Sequence, residues 1–301
     1  MSGCKLFAGC KISKLALEIC RFLDVETGKV QISRFSNGEV SVCYLEDVCD
    51  TKVLLMPDLM GEDKDVMALF QMIDAAHQNK AYSIVVVLPF YPYARQNRKN
   101  LNGEGIPSLL FAKLLKAAGA DQLLTIDLHS PEQYQNFEIP TVNVNLEKFW
   151  LKYLQEKIVD NANCLIFAAD KGMKTRVEYL SSRLNCCCGY ADKQRNCTGE
   201  IEIKNIYGDV YGKNVYLIDD LIDTGHTLAS VTEHLKHLGA RKITGIVTHG
   251  VIRKSALDVL NRCKLDALVS TNTLPVLMSR EFPTEIVSVV PLLGQHIRRF
   301  L

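Results

Sequence analysis

The sequence predicts an α/β protein made of two similar doubly wound domains with central parallel sheets. Three observations carry this. Short β-branched runs alternate with longer amphipathic stretches from end to end. The runs are apolar at successive positions, as strands covered on both faces must be. The chain has 301 residues, about two domains at roughly 150 residues each.

Strand signals fall at Val53-Leu54-Leu55-Met56, Ile84 to Leu88, Leu123 to Ile126, Cys164 to Phe167, Val215 to Ile218, Ile243 to Val247 and Ala267 to Val269. Between them, Val66, Leu69, Phe70, Ile73 and Ala76 make one stripe at helical spacing. Leu110, Leu114, Leu115 and Ala118 make a second, with Gly119 as a C-terminal stop. Leu228, Val231, Leu235 and Leu238 make a third, stopped at Gly239. Strand–helix alternation implies parallel sheets with right-handed crossovers. The alternation pauses at a charged helical stretch near 149–163, which places the domain boundary at about Asn145. The expected domains are 1–145 and 146–285, with a segment of about 286–301 packing back on the first. The segments Ala117 to Asp121 and Leu238 to Lys242 each lead into a strand, so the halves share a plan.

Composition excludes several classes. With 48% apolar and 23% charged residues, the chain is neither disordered nor fibrous. A net charge of +1 gives no polycationic surface for nucleic acid. The 11 cysteines are scattered, odd in number and without zinc spacing, so reduced thiols are expected. No signal peptide is evident, and no run reaches the ~20 apolar residues of a membrane span. A cytoplasmic protein is the expectation.

The strongest local pattern runs from Val215 to Thr227. A buried strand ends in Asp219 and Asp220, and a turn with Asp223, Thr224 and Gly225 leads through His226 and Thr227 into a helix. Ligands of open α/β sheets bind beyond the carboxyl ends of strands. A helix N-terminus there presents unpaired N–H groups to a phosphate, helped by the two threonine hydroxyls. The carboxylates repel phosphate and suit sugar hydroxyls or a metal instead. Together they read a ribose phosphate. An isolated Asp-Thr-Gly would be only a capped helix.

This pattern resembles the phosphoribosyl-pyrophosphate loop of the type I phosphoribosyltransferase fold, and the whole chain resembles the ribose-phosphate pyrophosphokinases. The resemblance implies a phosphoribosyltransferase-like fold. It also implies transfer of pyrophosphate from ATP to O1 of ribose 5-phosphate, with AMP released and magnesium as cofactor. Arg34-Phe35-Ser36-Asn37-Gly38-Glu39 is similar to the family's adenine segment. It implies that Phe35, Asn37 and Glu39 hold ATP, and that a neighbouring subunit completes each active site of a homo-oligomer (dimer, tetramer or hexamer). Alone, it is a polar turn with one aromatic. Tyr93 to Lys99 offers three cations that suit a triphosphate, and the resemblance assigns Arg95, Gln96 and Arg98 to ATP.

Asp127-Leu128-His129 closes a strand, and the resemblance places His129 at magnesium and in catalysis. Asp170-Lys171-Gly172-Met173-Lys174 is similar to the pyrophosphate loop, with Asp170 near the metal. A glycine turn with two lysines at a helix start also suits an oligophosphate by its own chemistry. Asp192-Lys193-Gln194-Arg195 opens a polar stretch to about Gly199 that reads as a surface loop. It is similar to the family's catalytic loop, which implies that Lys193 and Arg195 neutralise the transferred group.

The chain departs from the family pattern at four positions. Asn97 stands for a usual Asp, His226 for a usual Gly, and Gly105 and Pro107 alter a segment tied to regulation. A nucleobase phosphoribosyltransferase is one rival reading, but it has no use for the Phe35 and Arg95 patches. A non-catalytic regulatory relative is the other, and such proteins lose residues such as Lys193. No nucleic-acid or membrane partner is expected.

Overall fold

A computed structural model describes the chain apart from residues 1, 2, 10–12, 58, 60–62, 100, 196–200 and 253. At 63, 64, 131, 132, 195 and 201 it describes the backbone alone. The chain forms two compact units, Met1–Val144 with Val289–Leu301, and Asn145–Ser288.

The strands of the first unit are β1 (Cys4–Phe7), β2 (Glu26–Thr27), β3 (Val30–Arg34), β4 (Val40–Tyr44), β5 (Lys52–Leu55), β6 (Ser83–Leu88), β7 (Gln122–Ile126) and β8 (Thr141–Val144). Six of them form a parallel sheet in the order β2-β1-β5-β6-β7-β8. β3 and β4 form a separate antiparallel pair. Helices α1 (Lys14–Leu23), α2 (Asp63–Gln78) and α3 (Pro107–Ala117) cross between strands. Leu69, Ile73 and Ala76 of α2 and Phe111 and Leu115 of α3 pack on Val53, Leu55, Val86 and Leu123 of the sheet. Each such large side chain contributes about 1.5–3 kcal/mol of burial.

One stripe differs from expectation. α3 buries Ser108, Phe111, Ala112 and Leu115, whereas Leu110 is 56% and Leu114 41% exposed. Residues 108, 111, 112 and 115 already form the inward stripe, and a one-residue step turns a helix by about 100°. Leu110 and Leu114 therefore flank the buried face.

The second unit holds α4 (Glu147–Lys157), β9 (Cys164–Ala168), α5 (Lys174–Leu184), β10 (Cys187–Arg195), β11 (Ile201–Tyr207) and β12 (Asn214–Ile222). It continues with α6 (His226–His237), β13 (Lys242–Gly250), α7 (Lys254–Arg262), β14 (Ala267–Thr271) and β15 (Thr284–Val287). Its sheet runs β11-β10-β9-β12-β13-β14-β15 and is parallel except for the β10–β11 pair. Leu228, Val231 and Leu235 of α6 are buried against Val215, Leu217 and Val247, while Leu238 caps the helix and is exposed.

The final helix, α8 (Val290–Ile297), returns to the first unit and packs on α1. Gly294 permits this contact, because a Cβ there would lie 2.3 Å from the Phe22 ring. The Arg298 guanidinium sits 5.1 Å from the centroid of that ring, and Lys52 Nζ donates to the Leu301 carbonyl. Among the described residues, no helix is long and apolar enough to cross a membrane.

Candidate active site

In the second unit the candidate groups gather at the carboxyl ends of β9, β10 and β12. After β9, Asp170 caps a short 3-10 turn (Lys171–Met173), its Oδ1 accepting the Met173 N–H at 3.2 Å. A Cβ on Gly172 would stand 3.1 Å from that same oxygen, so the turn favours glycine. Met173 is buried and packs the turn down, while Lys171, Gly172 and Lys174 face outward. Lys174 Nζ lies 4.9 Å from the Tyr190 ring centroid and 3.7 Å from Glu178.

The stretch expected to be a loop is instead the end of a strand. Asp192 to Arg195 lie on β10, paired antiparallel with β11. The reason is the partner strand, whose Ile203 and Ile206 pack against the core and supply the β-forming half. The register shifts between Asp192 and Lys193, which leaves Lys204 of β11 as the extra residue of a bulge. Lys193 Nζ is 2.8 Å from Asp170 Oδ2, and Lys171 Nζ is 2.7 Å from Asp192 Oδ2. Two ion pairs thus cross between hairpin and turn. Arg195 has only its backbone described, and the rest of the expected stretch, 196–199, lies outside the described residues.

β12 does not stop at Ile218 but runs to Ile222, so Asp219 and Asp220 lie on the strand itself. Asp219 is 6% exposed, and its Oδ1 accepts the Asp220 N–H at 3.0 Å. Burial pushes its carboxyl well above the ordinary range, the charges of Asp220 and Asp170 add to this, and Lys193 opposes it. Beyond the strand, Asp223 and Thr224 are exposed and Gly225 starts α6. Gly225 has φ +79°, and a Cβ there would lie 3.1 Å from the Ala256 carbonyl oxygen and 3.2 Å from Leu260 Cγ. His226 is not among the positive-φ residues; it is the exposed first residue of the helix, with Thr227 next. The left-handed position therefore belongs to Gly225, and His226 presents an ordinary helical N–H.

In the first unit the adenine-like segment is the turn of the β3–β4 hairpin. Phe35 N–H donates to the Glu39 carbonyl and Gly38 N–H to the Phe35 carbonyl, each at 2.9 Å. Asn37 Oδ1 accepts the Glu39 N–H at 3.1 Å, and Arg34 reaches the Gly38 carbonyl. These bonds fix the turn and leave the Phe35 ring 61% exposed. Arg95, Gln96 and Arg98 are exposed on the loop after β6, whose Tyr93 has φ +60°. His129 is exposed on the loop after β7, following buried Asp127 at φ +42°. The two loops are joined by Asn97 Nδ2 donating to Ser130 Oγ at 2.6 Å. Ser130 carries no pattern of its own in the sequence, so only the fold brings it forward.

Among the described residues, no group of three or more His, Cys, Asp or Glu side chains is placed to hold a metal ion. Lys193 is the cation that answers the clustered carboxylates of Asp170, Asp219 and Asp220.

Family models match at residues 4–119, the N-terminal domain of ribose phosphate pyrophosphokinase, and at 197–301, the phosphoribosyl synthetase-associated domain. A ribose-phosphate pyrophosphokinase of Agrobacterium fabrum is 36% identical over 98% of this chain and 96% of its own. The chain belongs to the ribose-phosphate pyrophosphokinase family. A second member, from Oceanobacillus iheyensis, is 35% identical over 99% of this chain and 94% of its own. The solved phosphoribosylpyrophosphate synthetase of Mycobacterium smegmatis superposes with a TM-score of 0.90 at 32% identity, covering 99% of this chain and 98% of that one. These pyrophosphokinases align across residues 120–196 as well, so the turn at Asp170 and strand β10 fall within the shared length.

Proposed function

We propose that the protein transfers pyrophosphate from ATP to O1 of ribose 5-phosphate, forming 5-phosphoribosyl 1-pyrophosphate and AMP. The observation that carries this is near-full-length similarity to ribose-phosphate pyrophosphokinases, combined with Lys193 at the Asp170 turn. A non-catalytic relative would have no need of that lysine.

Asp219, Asp220, Asp223 and the Thr224 to Thr227 helix start would hold ribose 5-phosphate, carboxylates to hydroxyls and N–H groups to phosphate. Phe35 would stack on adenine, with Asn37 and Glu39 at its edge. Arg95, Gln96 and Arg98 would take the triphosphate. Lys193 would exchange the Asp170 carboxylate for oxygens of the transferring group, joined by Arg195. Such charges count most when they meet developing charge in a site closed to water. Lys171, Gly172 and Lys174 would line the pyrophosphate.

Magnesium fits this donor set. It usually binds through one or two carboxylates plus substrate phosphates and water, and Asp170 offers one such carboxylate. Asp170 would hold it in the second unit, and its charge would neutralise and orient the phosphates; His129 in the first unit would contact the metal-bound ATP phosphates. We further propose a cytoplasmic homo-oligomer in which a neighbouring copy's Phe35 segment completes each site.

The test is AMP release in the presence of magnesium. AMP appearing only when ATP and ribose 5-phosphate are both present supports the reading. ATP binding by a folded protein without AMP release would favour the regulatory alternative.

A further inference from the structure

Within the first unit, two loops carry the groups proposed for ATP. Arg95, Gln96 and Arg98 lie on one, and His129 on the other. Each loop contains a non-glycine residue in the left-handed region, Tyr93 at φ +60° and Asp127 at φ +42°. Such conformations are strained and persist only where surrounding bonds over-determine them. Part of that restraint is visible. The Gln96 N–H donates to the Tyr93 carbonyl at 2.8 Å, and the Asp127 N–H donates to the Val144 carbonyl at 3.0 Å. The Leu128 N–H donates to Asn143 Oδ1 at 3.1 Å. These bonds hold each loop to its own surroundings. The Asn97–Ser130 bond crosses from one loop to the other.

We propose that Asn97 and Ser130 are a positioning pair that sets the spacing between the Arg95–Arg98 cations and His129. The proposal rests on the ATP-binding reading above. Asn97 sits between Gln96 and Arg98, and Ser130 directly follows His129. A bond between their side chains therefore transmits position to groups one residue away. Both residues are half-buried, which shields the bond from competing water. The bond is neutral at both ends, so it adds no charge to compete with phosphate for the arginines. An Asp at position 97 could keep the link by accepting the Ser130 O–H, but would place a negative charge beside Arg95 and Arg98.

The test is ATP binding with magnesium, measured by titration calorimetry on wild type, Asn97→Ala, Ser130→Ala, the double variant and Asn97→Asp. Ribose 5-phosphate affinity and thermal midpoint are measured in parallel. Each alanine variant should weaken ATP binding by about five- to tenfold, the scale of one hydrogen bond. The double variant should lose no more than either single, because both remove one link. Ribose 5-phosphate affinity should stay within about twofold, since that ligand uses none of these groups. Asn97→Asp keeps the link and should bind ATP more tightly than Asn97→Ala, with a deficit against wild type that shrinks as added salt screens the new charge. Additive losses, equal losses for both ligands, or losses that track the thermal midpoint would overturn the pair as a positioning device. Tight ATP binding by wild type with unchanged binding in every variant would overturn the pair alone. Wild type that binds no ATP would overturn the functional reading and the pair with it.

Discussion

The two hairpins of the chain present their candidate groups in opposite ways. β3–β4 stands apart from the six-stranded sheet and leans on α2, through Tyr44 Oη to the Met72 carbonyl and Gln71 to the Val40 carbonyl. Its turn is fixed mostly by main-chain bonds, and Phe35 at the tip projects outward. β10–β11 instead continues the main sheet of the second unit, and its polar end is tied down by the crossed pairs Lys193–Asp170 and Lys171–Asp192. A rigid turn with an exposed ring suits recognition by stacking. Lysines parked on carboxylates suit a charge that changes partner during reaction. Partly exposed ion pairs of this sort are worth little as stability, so exchanging them costs little.

The sharpest way to break that contrast is at the two key side chains. Lys193→Ala should lower kcat by about 10²–10³-fold while ATP affinity moves by less than about threefold. A change confined to the Michaelis constants would mean the lysine binds substrate rather than the transition state. Phe35→Ala should do the reverse. Losing one base-stacking contact of ~1–3 kcal/mol predicts about a tenfold or greater loss of ATP affinity with kcat little changed. An unchanged ATP affinity would remove the hairpin tip from the site.

Smaller effects test the loop after β12. Gly225→Ala puts a Cβ against Ala256 and Leu260 at φ +79°, so it should cost about 1–3 kcal/mol of stability. A lower denaturant midpoint is expected; an equal one would mean the turn shifts freely.

Asp219→Asn should act most gently and with the opposite sign. The folded carboxyl titrates above its unfolded value of about 3.9, so the native state holds the extra proton. Stability contributed by that proton is present at low pH and is lost as pH rises through the folded value. Asn keeps the shape without the charge, so the variant should gain on wild type as pH rises from 4 to 8. Urea midpoints across that range check this, and a gap that stays constant or narrows would sink it.

Much of the architecture was readable because its signal is local. Val53 to Met56 and Ile84 to Leu88 are short and apolar at successive positions, as strands covered on both faces are. Gly225 was readable for a similar reason, since its residue type answers a backbone demand that appears as φ +79°. The polar strand end at Asp192 was not readable as strand. Its own residues favour a loop, and the pairing comes from β11, whose isoleucines lie beyond it in the sequence.

By itself, the sequence determined the α/β class, the strand–turn–helix pattern from Asp219 to Thr227 and the residue types available for chemistry. Those depend on periodicity and on spacing within one segment. The tertiary structure alone decided that Lys193 meets Asp170, that Asp219 is buried beside two further carboxylates, and that Asn97 reaches Ser130 across 33 positions. Each joins residues from different strands or loops, and that proximity exists only after the sheet has set their register.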